Sequence, residues 1–143
     1  MMELFLEILF GFIIAVVGYN VIHYFFITKP KDAGKSETIS VLNDLMESAG
    51  KKSKIKIFKI NDLSEIWERN IYVFEYVIES DNQLVRTITD EIDLINKSGR
   101  WNHKIVMTDY YIRDNYIHID LAYLLNLATY EYVLDMEKLK DVN

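Results

Sequence analysis

Hydrophobic positions change their rhythm several times along the chain. From Ile8 to Ile27 they run almost unbroken and without charge; from Ser36 to Gly50 they recur at helical spacing. From Lys54 the period shortens to two, and after Leu121 helical spacing returns. In "SETISVLNDLMESAG" Ile39, Leu42, Leu45, Met46 and Ala49 share one side, which predicts an amphipathic helix opened near Ser36 and closed at Gly50. "KIKIFKI" and "IYVFEYVIE" alternate as strands do, with Tyr72, Phe74, Tyr76 and Ile78 on one face and Glu75 and Glu79 on the other. Between them "NDLSEIWERN" suits a short helix capped at Asp62.

"SDNQ" reads as a turn into "LVRTITD", taken as the hairpin partner of the second strand, and "EIDLIN" fits either period. "KSGR" then turns into the strand "KIVMTDYYI", and "RDN" into "YIHIDL". In that last strand Ile117, Ile119 and Leu121 oppose Tyr116, His118 and Asp120, the pattern of a half-buried antiparallel sheet. Leu121, Leu125, Ala128, Tyr132, Met136 and Leu139 predict a C-terminal helix longer than about five turns. Its apolar side covers the sheet or meets a partner chain. The sum is an α+β chain. A single N-terminal transmembrane helix precedes a small antiparallel sheet domain flanked by an amphipathic helix and a long C-terminal helix.

A hydrocarbon core of about 30 Å needs about 20 helical residues, and Ile8 to Ile27 has that length. Thirteen of those positions are Leu, Ile, Val or Phe, enough to outweigh Asn20, His23 and two glycines in the cost of insertion. A cleaved export signal calls for a basic start and small residues at the exit. Here the start "MMELFLE" is acidic and the exit "YFFIT" is bulky. A helix buried inside a large assembly is the other alternative. The organisation expected is therefore residues 1–27 as a membrane anchor spanning about 8–27, a basic juxtamembrane linker at 28–35 broken by Pro30, and a soluble α+β domain at 36–143.

Tyr24, Phe25 and Phe26, followed by Lys29, Lys31 and Lys35, are the expected membrane-interface residues. With Glu3 and Glu7 before the span and these lysines after it, the C-terminal domain is expected in the cytoplasm, on a signal-anchor. Lys51, Lys52, Lys54, Lys56 and Lys59 either extend that basic zone along an anionic leaflet or protect an edge strand from pairing. Gly11, Ala15 and Gly18 fall in a narrow arc where two helices could approach.

Composition narrows the chemistry. The 143 residues carry a formal net charge of −6, so a phosphate backbone is not an expected partner and no nucleic acid is expected. The chain has no cysteine, which removes disulfides and thiolate sites. Its five glycines are too scattered for a phosphate loop, no cofactor is implied, and heavy use of Ile, Lys, Asn and Tyr suggests a bacterial or phage origin. His103, Asp109, His118 and Asp120 are the one possible polar site, on neighbouring strands, where imidazole and carboxylate can bind a metal or share a proton. Solvated or hydrogen-bonded surface residues are the plainer reading of the same four.

The function expected is a membrane-anchored, non-catalytic interaction module whose partners are lipid and a protein or its own copies. One alternative is a subunit of a larger secretion, conjugation or pilus assembly with the domain outside the cytoplasm. A small hydrolase or metal-dependent enzyme built on the four polar residues is another.

Overall fold

The computed structural model of the chain describes residues 1–66, the backbone of Trp67, and residues 70–79 and 83–142. Two units are distinguished, Met1–Gly34 and Lys35–Asn143.

The first unit is helical. Helix α1, Met2–His23, has no buried residue, and a π-helical turn follows at Tyr24–Thr28. The apolar run satisfies its own backbone polar groups along the helix, and Asn20 donates its side-chain N–H to the Val16 carbonyl at 2.8 Å. This is a helix long and apolar enough to cross a membrane. The expected break at 28–35 is not a break. Helix α2, Lys29–Gly50, starts at once, with Pro30 as its second residue. The π turn explains why: the Lys29 N–H reaches back five residues to the Tyr24 carbonyl. The widened turn makes room for the ring of Pro30, which has no N–H to place.

From Lys35 onward α2 belongs to the α+β domain, which continues with β1 (Lys56–Asp62), α3 (Ser64–Trp67), β2 (Val73–Glu79), α4 (Gln83–Ser98), β3 (Ile105–Arg113), β4 (Tyr116–Tyr123) and α5 (Leu127–Asp141). The sheet order is β1-β2-β4-β3, with every neighbouring pair antiparallel. Asp62 accepts from the N–H and hydroxyl of Ser64 at 2.9 and 2.5 Å, the cap expected for the short helix. Glu68 and Arg69 of that segment, and Ser80, Asp81 and Asn82 of the expected turn "SDNQ", lie outside the described residues. The β3–β4 hairpin turns on Asp114 and Asn115, both at positive φ, as a tight two-residue turn requires.

"LVRTITD" is helix α4, not a strand beside β2. Read over seven residues, with β-branched Val85, Thr87, Ile88 and Thr89 after a turn signal, it has the composition of a strand. Joined to "EIDLINKS" it places Leu84, Ile88, Ile92 and Ile95 on one helical face, and all four are buried. Gly99, at φ +65, ends the helix. With α4 removed from the sheet, the neighbour of β2 becomes β4.

One sheet face holds the larger core. Phe74, Tyr76, Ile78, Ile117, Ile119, Leu121 and Tyr123 pack against Val41, Leu42, Leu45, Met46 and Ala49 of α2 and the buried face of α4. Each such side chain withdrawn from water contributes about 1.5–3 kcal/mol before entropy is counted. The Tyr76 hydroxyl, deep in this layer, donates to Asn43 of α2 at 2.8 Å, which fixes the helix's position along the strands. On the other face a smaller cluster joins Ile71, Val73 and Ala122 to Val133 of α5.

Helix α5 begins at Leu127, later than the stripe from Leu121 suggested, because Leu121, Ala122 and Tyr123 are still paired in β4. Asn126 caps it, accepting from the Thr129 N–H at 3.0 Å and its hydroxyl at 2.6 Å. Only Thr129 and Val133 of the helix are buried.

Candidate functional site

The smaller cluster leaves part of its sheet face to polar residues. Strand register builds a row across all four strands. Asn61 of β1 lies beside Glu75 of β2, Glu75 beside Asp120 of β4, and Asp120 beside Asp109 of β3. The next row is Lys59, Val77, His118 and Tyr111. Alternation along each strand forces these residues to the face opposite Tyr76 and Ile119.

Glu75 is the hub. Its Oε1 accepts from Asn61 at 2.7 Å, and its Oε2 accepts from the Tyr111 hydroxyl at 3.0 Å. His118 Nδ1 lies 3.3 Å from the same oxygen, without hydrogen-bond geometry. The Tyr111 ring is stacked on the His118 ring, 4.5 Å between centres and 9° from parallel. Burial pushes the Glu75 carboxyl up, and Asn61, Tyr111 and His118 together more than reverse this, leaving it below the ordinary value.

Asp120 is in the opposite state. Its Oδ1 is buried with no hydrogen-bond partner among the described residues. Burial first, then the charges of Glu75 and Asp109, push its carboxyl up to about 7, against a smaller pull from Lys140. Tyr132 of α5 faces the same charges: burial, then Asp120 and Asp109, raise its hydroxyl. The Lys140 ammonium donates to the Thr108 carbonyl, bringing the end of α5 over β3. This surface can accept hydrogen bonds or a cationic side chain and take up a proton near neutrality.

Of the four polar residues singled out in the sequence, Asp109, His118 and Asp120 come together. His103 does not. It packs edge-on against Tyr123, 5.5 Å between ring centres, and Tyr123 belongs to the opposite, apolar face. Among the described residues no group of three or more His, Asp or Glu side chains could hold a metal. Glu75, Tyr111 and Asn61 were missed as members; the strand parity of Glu75 was visible, but its neighbours depend on the β2–β4 pairing.

The interface residues fall in two places. Tyr24, Phe25 and Phe26 are exposed on the π turn, and the Lys29 ammonium stands 5.6 Å from the Phe25 ring centre. Lys31 is in α2, while Lys35 is engaged within the domain, 2.7 Å from the Asp62 carboxylate. Around Gly11 and Gly18 an added Cβ would meet nothing within 4 Å, and Ala15 of the same stripe is exposed. β1 is an edge strand, and Lys56 and Lys59 lie on it, as protection against pairing requires.

Comparisons of the chain with protein-family models, characterised proteins and solved structures find no match.

Proposed function

We propose that the protein is a single-span, membrane-anchored interaction module without catalysis. Its α+β domain holds a protein partner, or further copies of the chain, at the cytoplasmic face. The observation that carries this reading is helix α1, free of charged residues from Ile8 onward and with none of its residues buried. An exposed apolar surface of that size is stable only when lipid or another protein covers it. The polar sheet face supports binding over turnover. Glu75 is already held by its neighbours, and one face of the His118 ring is covered by Tyr111, so neither offers a substrate an unencumbered base.

A photo-crosslinking residue in place of Tyr111, in the full chain in native membranes, tests the module, and a C-terminal reporter tests its side. Discrete adducts together with a reporter active only in the cytoplasm are expected. A reporter active only outside would place the domain in an extracytoplasmic assembly. An absence of adducts from a monodisperse, membrane-embedded monomer would remove the interaction function.

A further inference from the structure

The sheet has two outer edges, β1 and β3, and they are finished differently. On β3, side chains occupy backbone groups that no strand pairs. The Asn96 amide of α4 donates to the Ile105 carbonyl at 2.8 Å and accepts from the Ile105 N–H at 3.0 Å. Lys140 of α5 donates to the Thr108 carbonyl, and the Asp109 carboxylate accepts from the Tyr110 N–H at 2.9 Å. β1, which lies wholly within the unit Lys35–Asn143, has no such closure. The Leu63 N–H bonds to the Val73 carbonyl, so alternation turns the N–H and C=O of Ile60 and Asp62 away from β2. Among the described residues nothing bonds to those outward groups. An unpaired strand edge is a surface to which an extended segment adds, backbone to backbone.

Burial and charge along β1 define what that segment carries. Pairing with β2 sets Ile57 opposite Ile78 and Ile60 opposite Tyr76, on the side of the larger core. Ile57 and Ile60 nevertheless stay 40 % and 38 % exposed, because no strand lies beyond them. Lys56 and Lys59 lie opposite Glu79 and Val77, on the other side. Three residues apart, they share that side because the strand bulges between Ile57 and Lys59. Lys59 has no ion-pair partner among the described residues, and Lys56 meets Glu79 only at 3.5 Å with both side chains largely in water. From residue 51 to residue 60 the chain holds five lysines and no acid. Lysines on an edge reject a neutral or basic strand, whose approach would strip water from charges it cannot pair, but they admit one that carries carboxylates. Two copies of β1 aligned antiparallel along their full length would set Lys59 against Lys59, which makes a second copy the poorer occupant.

We propose that β1 takes up an extended acidic segment of a partner protein as a fifth strand, its aliphatic side chains covering Ile57 and Ile60 and its carboxylates meeting Lys56 and Lys59. The proposal rests on the interaction-module reading and names the chemistry of the partner.

The probe is a short peptide alternating Glu and Val, added to the full chain in detergent micelles while amide hydrogen exchange is followed by NMR. Exchange at the Ile60 and Asp62 N–H groups is expected to slow about tenfold or more, with Ile105 unchanged. A peptide alternating Lys and Val should give no protection, and the double variant Lys56→Glu, Lys59→Glu should reverse that preference. Ile60→Pro removes an outward N–H and no bond to β2, so it should abolish protection at Asp62. If the proline variant loses its fold, the charge-reversed chain decides. Unchanged exchange with the Glu and Val peptide, or equal binding of that peptide N-methylated at alternate residues, would overturn the proposal. Protection by phosphatidylglycerol in the micelles but not by the peptide would assign the lysines to lipid and also overturn it. In native membranes, a photo-crosslinking residue in place of Phe58 should form adducts. None at 58 with adducts at 111 would remove strand addition and leave the module; none at either would remove both.

Discussion

Replacing Asp120 by Asn should stabilise the domain at alkaline pH and do little in acid. The carboxyl titrates near 7 in the folded chain against an ordinary value of 3.8. Between those values the folded state holds a proton that the unfolded state has released. Stability contributed by the neutral carboxyl is therefore complete below about pH 4 and is lost as pH rises through about 7. At about 1.4 kcal/mol per pH step the full penalty is about 4 kcal/mol, and partial solvent access brings it to about 2 kcal/mol. Asparagine keeps the shape, cannot ionise, and ends the repulsion with Glu75 and Asp109. Thermal melts of the full chain in detergent, followed by near-ultraviolet dichroism, should show Asp120→Asn melting roughly 10 °C above the parent at about pH 8 and within a few degrees of it at about pH 4. Comparing variant with parent at each pH cancels the other carboxylates, whose own titrations are shared. An equal difference at both pH values, or a variant less stable at about pH 8, would refute the claim that Asp120 is an unpaired, repelled carboxylate.

Other consequences are open to the same kind of measurement. Tyr111→Phe removes one of the bonds holding Glu75 ionised, so the Glu75 carboxyl should titrate closer to its ordinary value by NMR. Stability linked to its depressed pKa, present above the ordinary value and lost as pH falls through the folded one, should shrink. Ile119→Ala, in a fully buried position of the large core, should cost about 2–5 kcal/mol in denaturant titration, and a cost below about 1 kcal/mol would contradict the packing. Asn126→Ala should cost about 1 kcal/mol through the lost cap of α5, more if its bond to the Asn70 carbonyl counts separately. Intact-mass analysis of protein purified from membranes should return the uncleaved 16.9 kDa chain, whereas loss of its first 27 residues would make that stretch an export signal.

How much of this was legible in the sequence depended on how far each signal had to reach. The faces of β2 and β4 were readable because alternation acts within one strand: Tyr76 and Ile78 against Glu75, Ile117 and Ile119 against His118. Helix α4 was misread because "LVRTITD" is rich in β-branched residues over the length of a strand. Its helical period appears only when Ile92 and Ile95 are added. That one error hid the site, since Glu75 meets His118 and Tyr111 only if β2 pairs with β4 across an intervening helix and strand. Leu121 satisfied both the strand and the helix pattern, so the start of α5 was fixed by strand pairing and by the Asn126 cap. Pro30 carried a true local preference, which the π turn at Tyr24–Thr28 overrode.

The membrane function depends most on where helix α1 resides. Alkaline carbonate extraction of membranes containing the full-length chain, with a detergent-free buffer fraction run beside it, tests this most directly. The chain should stay in the membrane pellet and leave it only with detergent. Recovery of the intact chain as a folded, monodisperse species in buffer alone would contradict a lipid-spanning helix and the membrane function built on it.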